Sequence, residues 1–475
     1  MSPGTAVDYE VVIGLEVHAQ LLTASKMFCR CSADYADAAP NTHNCPICMG
    51  MPGVLPVINE QAVEYTVMTA LALNCSIPSF SKFDRKNYFY PDLPKGYQIS
   101  QYDIPLSRNG YLTIRLKDED KRIGIHRVHL EEDTGRLLHR VGPDGARFSL
   151  VDLNRAGIPL MEIVTEPDLR SADEARDYAV ELRTVLRTIG ASEAEMEKGQ
   201  LRAEPNISIR RAGSEELGVK TELKNINSFR ALHRAILYEV VRQTELLESG
   251  GTVVQETRGW SEAEGRTFSQ RTKEFAEDYR YFPEPDLPPL EIDRVWIEEL
   301  RAALPELPGT RLGRLASEYG LPASDAVLIA ADRDLADLFE GAVAAGAGAK
   351  QVANWIIGEV APTGKIPTAE HLGDLVKLVT SGIITRDQGR EVLMESVESG
   401  RTPSDIVAEH GYAQVSDEAS LLALVETVME ANPRAAEDYR AGKKQALGAL
   451  MADLKKRAPQ ANSKVASELL LRLLG

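Results

Sequence analysis

Apolar and polar residues alternate regularly through residues 11–21. This period of two predicts a β-strand whose apolar residues share one face and whose polar residues, Glu16, His18 and Gln20, share the other. Glu16 and His18 stand two residues apart, within reach of one shared ion or ligand. We therefore expect the N-terminal part of the chain to be built around this polar face.

A second predicted strand, residues 122–130, runs directly into three acids, Glu131, Glu132 and Asp133. Three adjacent carboxylates repel one another. They lie either on a solvated turn or beside a divalent cation, and we favour the cation.

Two further predicted strands carry charges on one face. Residues 201–210 place Glu204 there, and residues 219–224 place Glu222 and Lys224 there. An antiparallel sheet with one wet face permits each of these patterns alone. Together they predict one polar face of the sheet lined with acids and bases, which we call the floor of the site. An oxygen-rich site of that kind suits Mg²⁺ bound to phosphates.

The segment 82–98 concentrates bases, aromatic residues and prolines, and its bases include Lys82, Arg85 and Lys86. It is either a solvated connection stiffened by proline or a ligand-binding loop. Loops held on a sheet often bind ligands, and arginine and lysine are the residues that hold phosphates.

After about residue 293 the strand pattern fades and amphipathic helices dominate. The predicted fold class is therefore α+β: a catalytic domain on an antiparallel sheet (1–293), then an all-α helical domain (294–405) and a helical tail domain (406–475). The Pro-rich end of the first region, residues 283–290, marks the first boundary.

Four of the five cysteines fall in one window as Cys29-x-Cys31 and Cys45-x-x-Cys48. Structural zinc takes four ligands, and these residues supply four thiolates. The pattern predicts a zinc knuckle at 29–48. Reduced thiols without a metal, and disulfides, are the alternatives.

The 475-residue chain has a net charge of −17, which does not attract nucleic acid non-specifically. Any contact with RNA requires a local basic patch such as residues 442–457, which otherwise form a solvated helix face. There is no run of 18 apolar residues and no signal peptide pattern. We expect a cytoplasmic protein without a membrane partner.

Several common catalytic motifs are missing. The segment from Gly358 to Lys365 has one residue too many for a P-loop, and Ile366 follows where serine or threonine is required. The chain also lacks a G-x-S-x-G motif and a dinucleotide fingerprint in a strand context.

The chain resembles a known family, the GatB family of the bacterial aspartyl/glutamyl-tRNA amidotransferases. The resemblance covers essentially the whole chain. The matching segments are VIGLEVH at 12–18, SKMFC at 25–29, PGVLPVIN at 52–59, KFDRKNYFYPD at 82–92, HLEEDTGR at 129–136, VDLNRAGIPLMEIVTEPD at 151–168, ELKNINSF at 222–229, DYRYFPEPDLPPL at 278–290 and DYRAGKKQALGAL at 438–450.

The resemblance implies a function. Members of the GatB family use ATP and Mg²⁺ to phosphorylate the side-chain carboxylate of Asp-tRNA(Asn) or Glu-tRNA(Gln), and ammonia then gives the amide. The ammonia comes from a separate glutaminase (amidase) chain, and a small third chain completes the heterotrimer. The family's N-terminal domain is a cradle whose core resembles glutamine synthetase, and its helical and tail domains hold the tRNA.

The resemblance also implies roles for individual residues. The first candidates around Mg²⁺ are Glu16, His18, Glu131 and Glu132, with Glu204 and Glu222 as further candidates. Groups expected to face nucleotide phosphates or the carboxylate are Lys82, Arg85, Lys86, Asn154, Arg155 and Lys224. The residues expected to take part in catalysis are Glu16, His18, Lys82, Arg85, Lys86, Glu132 and Lys224.

Two further expectations follow from the resemblance. The cysteines resemble a zinc pattern found in some family members and not in others, so the zinc is expected to be structural. The bases expected to contact tRNA from the tail are Arg440, Lys443, Lys444, Lys455, Lys456 and Arg457.

Two other functions compete with this one. An RNA-binding scaffold with a zinc knuckle fits the cysteines and the tail, but it does not explain the floor of acids and bases. A free-standing ligase of the glutamine-synthetase type fits the floor, but it has no need for a helical tail.

Overall fold

The structure is a computed structural model that describes residues 9–116, 119–272, 279–412, 418–458 and 461–475. Asp278, which begins one of the segments shared with the GatB family, lies outside these residues. The chain divides into two compact units, Met1–Leu307 and Pro308–Gly475.

The first unit contains the strands. In chain order they are β1 (Tyr9–Gln20), β2 (Phe80–Ser81), β3 (Asp84–Asn87), β4 (Tyr97–Ser100), β5 (Ser107–Arg115), β6 (Asp120–Glu132), β7 (Arg136–Val141), β8 (Arg147–Asp152), β9 (Pro159–Thr165), β10 (Leu201–Arg211), β11 (Thr221–Lys224), β12 (Glu256–Ser261), β13 (Arg266–Thr272), β14 (Phe282–Pro283) and β15 (Leu290–Glu291).

Eight of these strands form one sheet in the order β13-β12-β11-β10-β1-β9-β6-β5. Neighbouring strands are antiparallel except for β11 and β12, which are parallel. Smaller sheets are formed by β14-β3-β4, by β15-β2 and by β7-β8. The strand predicted for residues 11–21 is confirmed as β1, and it lies near the centre of the large sheet.

Helices α1 (Glu60–Ala72), α2 (Ala172–Thr188), α3 (Phe229–Glu248) and α4 (Arg294–Ala303) belong to the same unit. The apolar side chains of the sheet share one core with those of the helices. Helix α1 contacts β6, α2 contacts β5, and α3 contacts β10 and β13. The helices therefore cover the apolar face of the sheet, and the polar face carries the candidate site.

Helix α4 lies beyond the predicted boundary at residue 293 and still belongs to the first unit, because Leu300 packs into its core and α4 contacts α1. The end of the strand pattern marks β15, the last strand in chain order, rather than the edge of the core. The division into three domains stays a prediction.

The described residues of the second unit are built from helices. They are α5 (Pro308–Tyr319), α6 (Ala323–Ala330), α7 (Arg333–Ala344), α8 (Ala349–Trp355), α9 (Ala361–Thr363), α10 (Ala369–Thr380), α11 (Arg386–Ser399), α12 (Pro403–His410), α13 (Glu418–Ala431), α14 (Pro433–Arg440), α15 (Ala446–Arg457) and α16 (Ser463–Leu474), with a π-helical turn, Ile356–Val360, between α8 and α9.

Two hydrophobic clusters stabilise this unit, one within residues 315–407 and one within residues 421–474. The mixed α/β fold with a large, mostly antiparallel sheet followed by helices is confirmed. None of the described helices combines the length and apolar character needed to cross a bilayer.

One buried carboxylate fastens α3 to the edge of the large sheet. Glu239 is fully buried and accepts hydrogen bonds from Arg242 at 2.6 and 2.9 Å, Gln243 at 2.9 Å and Thr267 at 3.1 Å. Arg258 of β12 lies 3.6 Å from the same carboxylate. This network holds β12 and β13 beside β11, which carries two of the candidate site residues.

We expect Glu239→Ala to lower the unfolding free energy of the first unit by about 3–5 kcal/mol, because removing one partner of a buried ion pair leaves the other charge unpaired. The exposed Glu245 on the same helix is the matched control, and its alanine variant should change stability by less than about 0.5 kcal/mol. Unfolding in denaturant, monitored by sensitivity to protease, measures the stability of both variants. Equal stability of the two variants would contradict a fastening role for Glu239.

Candidate active site

The register of the sheet arranges the polar residues in rows that run across the strands. β1 pairs with β10 on one side and β9 on the other, and β9 pairs with β6. One row, taken from β6 to β10, is Arg127, Val164, Glu16 and Glu204. The next row is His129, Glu162, His18 and Arg202.

The first acidic cluster forms around His18. Its Nε2 atom lies 3.6 Å from Glu131 and 3.8 Å from Glu162. One ligand atom from each of these three residues lies within 4.8 Å of the others. Both glutamates are buried, so the cluster is a compact set of two carboxylates and one imidazole.

Glu162 keeps its negative charge in this cluster. Burial alone would raise the pKa of Glu162, but the His129 imidazole, whose Nε2 lies 3.0 Å from the carboxylate, holds that pKa well below its usual range. His18 and Lys86 act in the same direction. An ionised, buried carboxylate beside an imidazole is a ready ligand for a divalent cation.

A second acidic cluster forms one row further along β1. Glu16, Glu204 and Glu222 place one oxygen each within 4.8 Å of one another. Asn206 donates a hydrogen bond to Glu16 at 3.0 Å, and Lys224 lies 3.1 Å from Glu204 and 3.3 Å from Glu222.

Glu16 in the second cluster is repelled by neighbouring carboxylates. Burial raises the pKa of Glu16, and the carboxylates of Glu162 and Glu222 raise it further. A cation bound among these oxygens would relieve the repulsion. The acids that the sequence grouped around one ion therefore lie in two clusters, because Glu16 and His18 occupy different rows of the sheet.

Glu132 belongs to neither cluster. Successive side chains on a strand point to opposite faces, so Glu132 points away from Glu131. Its carboxylate pairs with Lys95 and accepts a hydrogen bond from the Ile99 backbone at 3.0 Å. Glu132 and Lys95 line a separate cavity that also contains Lys26 and Arg85.

Of the five predicted phosphate-facing bases, Lys82, Arg85 and Lys224 already have carboxylate partners at 3.3 Å or less. Lys82 pairs with Asp84, and with Asp103 at 2.6 Å. Arg85 donates two hydrogen bonds to Glu284 at 2.7 and 2.8 Å, which attach β3 to the residues before β15. The carboxylates around Lys224 hold its pKa above the usual range although burial alone would lower it.

Lys86 differs from these bases. Its ammonium group forms no ion pair or hydrogen bond with the residues that the structure describes, and it lies 4.8 Å from the centre of the Tyr279 ring. Burial alone would lower the pKa of Lys86, but Glu131 and Glu162 raise it more. Lys86 is therefore a cation with free hydrogen-bonding capacity beside the first cluster.

The two predicted cofactor contacts that follow β8 have backbone partners. Asn154 is fully buried, donates to the Ala39 carbonyl at 2.7 Å and accepts from the His43 backbone at 2.8 Å. Arg155 donates to the Thr134 and Gly135 carbonyls at 3.0 and 2.7 Å. Asn154 therefore cannot reach a ligand in this conformation, because its amide group is enclosed.

The four cysteines of the predicted knuckle converge. The sulfur atoms of Cys29, Cys31, Cys45 and Cys48 lie within 4.8 Å of one another. Hydrogen bonding with Cys29 lowers the pKa of Cys48 to about 5, and the buried Lys26, 4.0 Å away, contributes in the same direction. Four converging sulfurs form a donor set for one metal ion.

The predicted tail bases are exposed at the end of α14, in the turn after it and in the last turn of α15. Lys443 pairs with Asp438 at 2.8 Å, and Arg457 pairs with Asp453 at 2.9 Å. Lys455 and Lys456 form no ion pair with the described residues. Lys444, in the turn after α14, also forms no ion pair with the described residues, so these three lysines are the tail bases most available to an anionic partner.

The sequence reasoning missed Glu162, His129 and Arg127. Glu162 is the single charged residue within β9, and this interruption of an apolar strand was a usable signal. The face of Arg127 and His129 was harder to assign, because a bulge lies between Ile125 and Arg127. Before the bulge the odd-numbered residues face the core, and after it Val128 and Leu130 do.

Comparison with known proteins identifies the family. The model described as "GatB/GatE catalytic domain" matches residues 11–298, and the model described as "GatB domain" matches residues 337–474. The aspartyl/glutamyl-tRNA(Asn/Gln) amidotransferase B subunit of Moorella thermoacetica is 53% identical over 459 residues, covering 95% of this chain and 96% of that protein. The corresponding proteins of Thermomicrobium roseum and Dehalococcoides mccartyi (strain CBDB1) are 52% and 50% identical, and each alignment covers 98% of this chain and 98% or more of the relative. The chain therefore belongs to the GatB family of tRNA-dependent amidotransferase subunits.

Proposed function

We propose that this chain activates the side-chain carboxylate of a misacylated tRNA, Asp-tRNA(Asn) or Glu-tRNA(Gln), by phosphorylation with ATP. A carboxylate oxygen attacks the terminal phosphorus, the bond to ADP breaks, and ADP leaves with the electron pair. Ammonia then attacks the acyl carbon, and inorganic phosphate leaves as the amide forms. The observation that supports this most is the pair of acidic clusters beside Lys86, whose ammonium group has no ion-pair partner in the described part of the chain.

The site has the composition that this reaction needs. Phosphoryl transfer is accelerated mainly by positioning and by neutralising charge, and it needs no nucleophilic side chain from the protein. His18, Glu131 and Glu162 would hold one Mg²⁺, and Glu16, Glu204 and Glu222 would hold a second. Bound Mg²⁺ neutralises the phosphate oxygens and orients them.

The protein's own groups divide the remaining work. His129 fixes the Glu162 carboxylate through their contact of 3.0 Å. Lys86 donates hydrogen bonds to a phosphate oxygen or to the substrate carboxylate. Lys224 limits the repulsion between Glu204 and Glu222. Lys82 and Arg85 hold the segment around β3 in place through their own ion pairs.

We further propose the family's assembly for this chain. A glutaminase (amidase) partner supplies the ammonia, and a small third protein completes a cytoplasmic heterotrimer. The first unit acts as a cradle with a core like that of glutamine synthetase, and the tail bases hold the tRNA backbone. The proximity of the clusters to Lys86 favours this reaction over a non-catalytic RNA-binding scaffold.

The four-cysteine cluster fits structural zinc. A tetrathiolate donor set is closed, with no position left for a substrate. The buried Lys26 lies close enough to offset part of the negative charge of the thiolates. Zinc bound there would fasten the segment that contains Cys29 and Cys31 to the segment that contains Cys45 and Cys48.

We expect His18→Ala and Glu162→Gln to lower phosphate transfer from ATP to misacylated tRNA by about 100-fold or more, because each removes a ligand from the first cluster. The reconstituted complex and radiolabelled ATP provide the measurement. The half-buried Glu166, which lies just after β9 and contacts His126, is the matched control as Glu166→Gln. The glutaminase rate without tRNA should be unchanged in all variants. Wild-type phosphate transfer in both site variants would refute the proposal, and full activity on free glutamate without tRNA would favour a small-acid ligase.

Metal analysis of the purified chain should find close to one zinc per chain. Cys45→Ser should remove it, because three thiolates bind zinc far more weakly than four. Cys75→Ser is the control, since Cys75 is buried in the core and takes no part in the cluster. Protein without metal and with four titratable thiols in this cluster would rule the zinc site out.

Replacing both Lys455 and Lys456 by glutamine should weaken tRNA binding and reduce the slope of log K against log salt by about two, or one per lost phosphate contact. The control is the double variant Lys365→Gln, Lys377→Gln, whose residues lie in the second unit outside the tail. It removes the same two positive charges. Binding measured at several salt concentrations separates the two pairs. Identical slopes for the two double variants would show that the tail bases do not contact RNA.

A further inference from the structure

Arg127 lies on the polar face of the large sheet. It is half-buried, and its enclosed Nε atom has no hydrogen-bond partner among the residues that the structure describes. Its guanidinium forms no ion pair with the residues that the structure describes. Buried polar groups without a partner are rare in folded proteins. We therefore expect the Arg127 guanidinium to bind a ligand.

The bulge in β6 brings Arg127 to this face. Because the pattern of buried residues changes at the bulge, Arg127, His129 and Glu131 lie opposite the core residues Val128 and Leu130. Without the bulge Arg127 would continue the core face of Ile123 and Ile125. Bulges that redirect a side chain are frequent next to active sites.

Arg127 lies on the same face of the sheet as the two acidic clusters. It lies opposite Val164, whose other neighbour is Glu16, and its own strand neighbour along this face is His129. The pKa of Tyr281 also places these groups in one region, because burial, Glu131 and Glu162 raise it while Arg127 lowers it. The guanidinium therefore shares the space above the first cluster.

Arg127 differs from most other bases of the site because it has no carboxylate partner among the described residues. Lys82, Arg85 and Lys224 have carboxylate partners at 3.3 Å or less. Only Lys86 and Arg127, among these five bases, lack such a partner in the described part of the chain. Glu131 and Glu162 raise the pKa of Lys86, and Arg127 lies two residues along β6 from His129, whose Nε2 is 3.0 Å from Glu162.

We propose that Arg127 binds the phosphoryl group that is transferred, as a nucleoside triphosphate's terminal phosphate and then as an acyl phosphate. The planar guanidinium offers two parallel donors that match two phosphate oxygens. As the bond to ADP breaks and the bond to the carboxylate oxygen forms, Arg127 donates hydrogen bonds to the equatorial oxygens and transfers no proton. This assignment rests on the proposed phosphorylation of misacylated tRNA.

The test compares Arg127→Gln and Arg127→Lys with the wild type in the reconstituted heterotrimer. We expect Arg127→Gln to lower kcat/KM for phosphate transfer from ATP by about 100-fold or more, with little change in KM for tRNA. Arg127→Lys should recover part of the rate, because it restores the charge but not the paired donors. The exposed Arg122 on the same strand is the matched control as Arg122→Gln.

A second measurement separates phosphate binding from a structural role. Free guanidinium ion should partly restore phosphate transfer in Arg127→Ala, while an equal concentration of sodium ion should not. A merely structural arginine would show no such rescue. This comparison decides the question even where the glutamine variant folds poorly.

Three results of these experiments would each count against either the assignment of Arg127 or the proposed function. Wild-type ATP kinetics in Arg127→Gln would overturn the assignment of Arg127. A rise in KM for tRNA with a smaller salt slope and unchanged ATP kinetics would also overturn it, because it would identify an RNA backbone contact. Absence of phosphate transfer in the wild-type heterotrimer would instead refute the proposed function itself.

Discussion

The repulsion between carboxylates on one face of β1 and its neighbouring strands is the constraint on which the site depends. Glu16, Glu204 and Glu222 lie within 4.8 Å of one another, and burial raises the pKa of Glu16. A sheet tolerates such a face only where cations or hydrogen-bond donors compensate it. The His129 imidazole, Lys86 and Lys224 supply part of this compensation, and bound divalent cations would supply the rest.

The large sheet makes this arrangement rigid. Register sets which side chains stand in one row, and a slip by one residue would move every polar residue of β1 into the core. The helices α1, α2 and α3 share the core on the opposite face, so burial of that face fixes the register. The energy that folds the first unit therefore also positions the acids of the site.

Periodicity alone predicted the parts of the site that lie on regular strands. The polar faces of β1, β10 and β11 followed from their alternation, and the convergence of the cysteines followed from their spacing. The bulge in β6 could not be read from periodicity, so the faces of Arg127 and His129 were not assigned. Long-range pairing was equally out of reach: the partner of Arg85, Glu284, is 199 residues away.

The proposed phosphorylation depends most on a divalent cation that His18, Glu131 and Glu162 would hold against the phosphates of a nucleotide. Crystals of the heterotrimer grown with Mn²⁺ and a non-hydrolysable ATP analogue test it directly, since manganese scatters anomalously. We expect an anomalous peak within coordination distance of His18 Nε2 and of both carboxylates, with phosphate oxygens completing the shell. Nucleotide bound in the cradle with no metal among these three side chains would contradict it.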